Sequence, residues 1–136
     1  MTYCKRIIIL LTLSIATLAH GQQNPFIGTW QLVSGEYLDH NNKLVSYQSL
    51  DLVSQKVINK NHFSFISTKA GKFWSAGTGS YSFNEKTYIE SPTIASYQLE
   101  DGGHYQFDYQ IKGDLWYNAR WRDKTRVEFE VWQKVK

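Results

Sequence analysis

His104-Tyr105-Gln106-Phe107-Asp108-Tyr109-Gln110-Ile111 is the stretch on which the fold turns. Its residues alternate without a break, so Tyr105, Phe107, Tyr109 and Ile111 share one face of an extended chain and His104, Gln106, Asp108 and Gln110 the other. A sustained period of two marks a strand with one buried face, and the aromatic set is expected to point inward. Turn chemistry bounds the stretch on both sides, with Glu100-Asp101-Gly102-Gly103 before it and Lys112-Gly113-Asp114 after it.

Outward from this segment the same pattern recurs. Strands are expected at Thr29 to Leu38, Val53 to Asn59, His62 to Thr68, Lys72 to Ala76, Thr78 to Asn84, Lys86 to Ser91, Asp114 to Trp121 and Arg126 to Lys134. No segment keeps a helical period. Leu44 to Leu52 reads as a loop or one helical turn, and Pro92 to Leu99 could continue as an irregular strand. Connections this short make sequence neighbours pair as antiparallel hairpins. A meander of eight or nine such strands loses its exposed edges by closing on itself. The expected fold is all-β, a small antiparallel up-and-down β-barrel whose interior is either filled by side chains or open to one small ligand. In the last strand Val127, Phe129 and Val131 oppose Glu128, Glu130 and Trp132, and either set could face inward.

Residues 1–21 stand apart. Lys5 and Arg6 precede an apolar run from Ile7 to Ala19 and the small-residue frame Ala19-His20-Gly21, the pattern of a secretory signal peptide cleaved before Gln22. The run is shorter than the roughly 20 residues of a membrane-spanning helix, and no second one follows. Export to a periplasmic or extracellular location is expected, with no stable membrane insertion. Residues 22–136 suffice for one domain with one core. Cys4, the sole cysteine, falls in the leader, so the domain has no disulfide, thiolate metal site or cysteine nucleophile and must rest on packing. Two of the 15 basic residues are also lost with the leader, which leaves 13 against 12 acidic ones and little reason to expect nucleic acid as a partner. Arg120, Arg122, Lys124 and Arg126 around Asp123 read as a solvated hairpin tip or an anion-binding rim.

Gly28-Thr29-Trp30 opens the strand series, Gly77-Thr78-Gly79-Ser80-Tyr81 and Tyr88-Ile89-Glu90 occupy its middle, and Gly113-Asp114-Leu115 and Glu130-Val131-Trp132-Gln133-Lys134 lie near its end. With these anchors the chain, from about Asn24 to Lys136, resembles the lipocalin-like branch of the calycin superfamily, and within it a group of small secreted bacterial domains of unestablished function. The resemblance implies that Trp30 lies across a closed barrel floor and that a basic residue after the last strand, here Lys134, packs on its ring. Lipocalins usually carry arginine there, whose planar guanidinium stacks better than an ammonium. This chain is also shorter than most members, which implies a compact barrel without the usual flanking helix.

Tyr88 and Glu90 share a strand face, and Tyr81 approaches them from the preceding strand. If that face is interior, a carboxylate sits beside two phenols and could hold a polar ligand head or move a proton. If it is outward, Glu90 is simply solvated. Trp116, Asn118 and Arg120 alternate with Leu115, Tyr117, Ala119 and Trp121, so Arg120 beside Trp116 could clamp a carboxylate or merely cover a ring. Gly77 and Gly79 suit a crowded or bulged strand. His62 and His104 begin strands without partners at metal-ligand spacing, and no metal or cofactor is expected.

These features imply an exported protein that binds a small apolar or aromatic ligand, with Tyr81, Tyr88, Glu90, Tyr105, Phe107, Trp116 and Arg120 as wall residues. A second reading is a cofactor-free isomerase, cyclase or dehydratase, with Glu90 as acid or base and Tyr88 or His62 orienting the substrate. A third is a carbohydrate or protein interaction module using Trp74, Trp116 and Trp121 on the outer surface.

Overall fold

The computed structural model describes residues 23–100 and 102–136. The expected signal peptide lies outside the described residues. Nine strands form in order: β1 (Gly28–Leu38), β2 (Leu44–Ser46), β3 (Leu52–Ile58), β4 (His62–Lys69), β5 (Lys72–Phe83), β6 (Thr87–Ala95), β7 (Tyr105–Lys112), β8 (Leu115–Arg122) and β9 (Thr125–Lys134). Eight of them close a barrel: β1, β3, β4 and so on to β9 pair antiparallel in sequence order, and β9 returns to β1 from Trp30↔Lys134 to Tyr37↔Glu128. The short β2 pairs with the distal half of β1. The expected up-and-down barrel therefore forms, and its closure removes the open edges of the meander.

One expected break, at Gly77, is absent. Lys72 to Phe83 is one continuous strand, running through Gly77 and Gly79. The irregular strand read at Pro92 to Leu99 forms as far as Ala95, as a continuation of β6. A Cβ on Gly79 would lie 2.1 Å from the Ser91 carbonyl oxygen, so only glycine lets β5 and β6 come this close where the register shifts at Thr78/Gly79. Beyond Glu90, β6 pairs with β5 but no longer with β7, and proline is tolerated because its missing N–H faces no partner strand. Past Ala95 the chain leaves the wall and carries Tyr97, Gln98 and Glu100 to one end of the barrel.

Leu44 to Leu52 becomes β2, a 3-10 turn (Gln48–Leu50) and the start of β3. Tyr47 in this connection folds inward: its N–H donates to the Gly35 carbonyl (3.0 Å) and its ring stacks on Tyr37. Gly35 makes room for it, since a Cβ there would lie 2.7 Å from the Tyr47 ring and 2.5 Å from the Phe129 carbonyl oxygen. A bulge between Leu32 and Ser34 shifts the facing of β1 by one residue, bringing Gly35 and Tyr37 to the inside.

The opposite end is sealed. Trp30 is fully buried and Lys134 sets its ammonium 5.2 Å from the indole centroid, the floor contact implied for that pair. Phe26, just before β1, accepts the Trp30 indole N–H on its carbonyl (2.7 Å) and drives its ring into the barrel. Phe83, Tyr88, Tyr109 and Trp116 surround that ring, with centroids 4.7 to 5.0 Å away. Tyr88 is tilted against the ring and the other three meet it edge to face, and aromatic pairs of this kind add about 0.5–1.5 kcal/mol each beyond burial.

Candidate functional site

A cavity of about 290 Å³ occupies the other half of the barrel and opens at the end where Tyr47 and the chain after Ala95 lie. Its apolar wall comes from Leu32, Leu52, Phe65, Phe107 and Trp132, with Trp74, Tyr97 and Tyr105 nearer the mouth. The rest of the lining is polar to an unusual degree. Alternation along the strands turns Ser54 and Lys56 of β3, Ser67 of β4, Glu90 of β6 and Glu130 of β9 into the cavity, and all five are buried; Asn118 of β8 is buried on the inner face but lies off the lining. On β3 and β4 the apolar Val53, Val57 and Ile66 are the residues left outside.

Lys56 and Glu90 form a buried ion pair, Nζ to Oε1 at 2.5 Å. Four aromatic rings box the ammonium, the nearest being Trp132 at 4.8 Å and Trp116 at 5.2 Å from centroid. Burial works against the Lys56 charge, but Glu90, Glu130 and Glu128 outweigh it and raise its pKa. Glu130 accepts the Trp132 indole N–H on Oε2 (2.8 Å). Burial, and then the charge of Glu128, pushes the Glu130 carboxyl up to about 7, against the pull of Lys56.

Nearer the mouth Glu128 accepts the Tyr47 hydroxyl on Oε1 (2.9 Å) and Arg120 Nε on Oε2 (2.8 Å). Arg120 Nη1 also donates to Glu100 (2.9 and 3.1 Å), and the guanidinium lies 5.6 Å from the Tyr105 centroid. The Tyr105 hydroxyl accepts the Glu100 backbone N–H. This chain of contacts ties the β6–β7 connection to β9 across the opening. Burial foremost, and then Glu128 and Glu130, raises the Tyr47 phenol, so it remains a donor.

The expected wall residues divide. Glu90, Tyr105, Phe107 and Arg120 come together on the cavity lining. Tyr88 and Trp116 face inward but pack against Phe26 beneath it, and the Tyr81 hydroxyl is held at the closed end by Asn24 and the Asn59 carbonyl (both 2.7 Å). Phe26 fills the space those rings would have offered a ligand. Arg120 already holds two carboxylates, so it is not a free carboxylate clamp. His62 is exposed at the start of β4, beside the β3–β4 turn at the closed end, and does not reach the cavity. Trp116 is fully buried, which removes it from an outer platform with Trp74 and Trp121.

Sequence reading gave no role to Lys56, Tyr47, Glu128 or Glu130. A signal for the two acids existed. If Lys134 must reach Trp30 inside the barrel, the period of two puts Trp132, Glu130 and Glu128 on the same inner face. Lys56 had no such signal, because its partners come from other strands.

Among the described residues no three His, Cys, Asp or Glu side chains gather as a metal site would need. Fold and site together define a closed eight-stranded barrel with a sealed floor, one mouth and a cavity lined by both rings and charges. No protein-family model matches the chain, and no curated protein matches it.

Proposed function

We propose that this is an exported lipocalin-like binding protein that holds one small molecule with an apolar or aromatic body. The observation that carries this reading is the cavity itself, which at about 290 Å³ lies at the small end of ligand pockets and opens on one side only. The barrel devotes its closed half to stability and keeps the other half unfilled. Trp132 in the wall and Trp74 near the mouth make binding visible by tryptophan fluorescence. Titration with fatty acids, retinoids, haem and aromatic metabolites, with native mass spectrometry of the extracted protein, tests the reading. Saturable quenching or a retained mass is expected; neither across the panel would refute it.

The acid–base alternative is favoured by a different residue from the one the sequence suggests. Glu90 is engaged by Lys56, whereas the Glu130 carboxyl titrates at about 7 and lines the cavity, as a general acid or base for an isomerase, cyclase or dehydratase would. Turnover of a bound ligand that disappears in Glu130→Gln would select this reading over a carrier.

A further inference from the structure

The charges around the cavity do not balance. Two cations, Lys56 and Arg120, face four carboxylates, Glu90, Glu100, Glu128 and Glu130. They fall into two groups. At the mouth Arg120 is shared by Glu100 and Glu128, and at the floor Lys56 is paired with Glu90 while Glu130 has a hydrogen bond only from the Trp132 indole among the described residues. With every group ionised, each end of the cavity has one carboxylate more than it has cations. A buried carboxylate without a counter-charge is costly, and the cost is relieved by a proton or by a cation.

A second observation points the same way and involves no carboxylate. Asn118, on the inner face of β8 and directly opposite Glu130 in the β8–β9 ladder, is 1% exposed, and neither its amide oxygen nor its amide nitrogen has a hydrogen-bond partner among the described residues. Cross-strand neighbours on one face stand about 5 Å apart. The Asn118 amide thus leaves an acceptor and a donor unused beside the Glu130 carboxylate, just behind the cavity lining, and buried amides are rarely left unpaired; the acceptor suits a cation drawn to Glu130.

We propose that the ligand is an organic cation, with an apolar or aromatic body against Leu32, Phe65, Phe107 and Trp132 and a protonated amine that enters between Glu130 and Glu90. This rests on the small-molecule reading above and gives it a chemical class. Trp132, whose ring already faces the Lys56 ammonium, forms a wall for the body. The surroundings of Glu130 are Lys56 on β3, Glu90 on β6, Asn118 and Arg120 on β8, Glu128 on β9 and Tyr47 over the mouth. Lys56, already engaged by Glu90, is the nearest cation and does not cancel the excess. A carboxyl that titrates at about 7 holds a proton in place of the amine at lower pH and yields it when the amine binds.

Three probes with a common skeleton test the class: 2-phenylethylamine, 2-phenylethanol and 3-phenylpropionate, titrated calorimetrically into the full exported chain. At pH 8 the amine is expected to bind at least tenfold more tightly than the alcohol, and the carboxylate most weakly. Amine affinity is expected to fall several-fold from pH 7.5 to pH 5.5. Glu130→Gln, with its fold checked by circular dichroism, should cut the amine-to-alcohol affinity ratio at least fivefold and flatten the pH dependence. Alcohol or carboxylate binding as well as the amine, or an unchanged ratio in Glu130→Gln, overturns the organic-cation inference and leaves the carrier reading intact. Failure of all three probes, together with a negative fluorescence panel, overturns both.

Discussion

Lys56 is the residue on which the interior depends. Its ammonium is buried among four rings and three carboxylates, and removing it leaves Glu90 buried without its partner. Breaking a buried pair from one side costs about 3–5 kcal/mol, whereas replacing both members with apolar side chains of similar volume is often neutral. Lys56→Met is therefore expected to lower the unfolding free energy by about that amount, and Lys56→Met with Glu90→Leu to recover most of it, as read by urea denaturation. Glu130 acts through pH. Its carboxyl ordinarily titrates near 4.5 and in the fold at about 7. Between those values the folded chain keeps a proton that the unfolded chain has lost, so the stability linked to this group is complete below about 4.5 and is lost as pH rises through about 7. Glu130→Gln should match the parent at pH 4.5 and exceed it by about 3 kcal/mol at pH 8, in melts at the two pH values.

At the scale of elements, the mouth is built by two excursions from the barrel wall, the Tyr47 connection and the chain after Ala95. Gly35 controls the first. Gly35→Ala places a methyl group against the Tyr47 ring and the Phe129 carbonyl oxygen, and overpacking of this kind costs about 1–3 kcal/mol. The expected result is a lower melting temperature together with faster hydrogen exchange confined to Leu44 to Leu52; exchange that quickens uniformly around the barrel would contradict it. The strands themselves were largely legible, because half-buried strands alternate and β7 does so without exception. The miss lies at Gly77, which reads locally as an interruption although β5 runs through it. Gly79, read as a crowded or bulged position, is where β5 and β6 approach closely, and Pro92 stands on a stretch of β6 paired on one side only. The site was less legible. Glu90, Tyr105, Phe107 and Arg120 follow from parity and aromatic content, whereas Lys56 looks like a surface residue until Glu90 and Glu130 from distant strands are brought to it.

At the scale of the whole molecule the barrel divides its labour along its axis. Phe26, Trp30, Tyr88 and Trp116 fill the lower half with rings in mutual contact, and the upper half has a cavity ringed by charge. A domain without disulfides can leave half its interior open only if the other half is packed well enough to hold the strands together. Substitutions in the two halves are accordingly expected to separate: Phe26→Ala should cost about 3–5 kcal/mol in stability, while cavity-lining Phe107→Leu should alter ligand affinity more than melting temperature.

The first and last strands meet along a seam, and beyond it the Val135 N–H still reaches the Thr29 carbonyl oxygen at 2.8 Å. In topological terms the chain is nearly a ring with a nick at its floor. A chain released from one end to the other cannot complete that ring until β9 is present, so the closing contacts are those most distant in sequence and folding should be slow for a domain of this size. The same geometry allows the nick to be moved: a circular permutant with a short linker across the seam and new ends at the exposed Ala70-Gly71 turn is expected to fold, and to place both free ends beside the mouth.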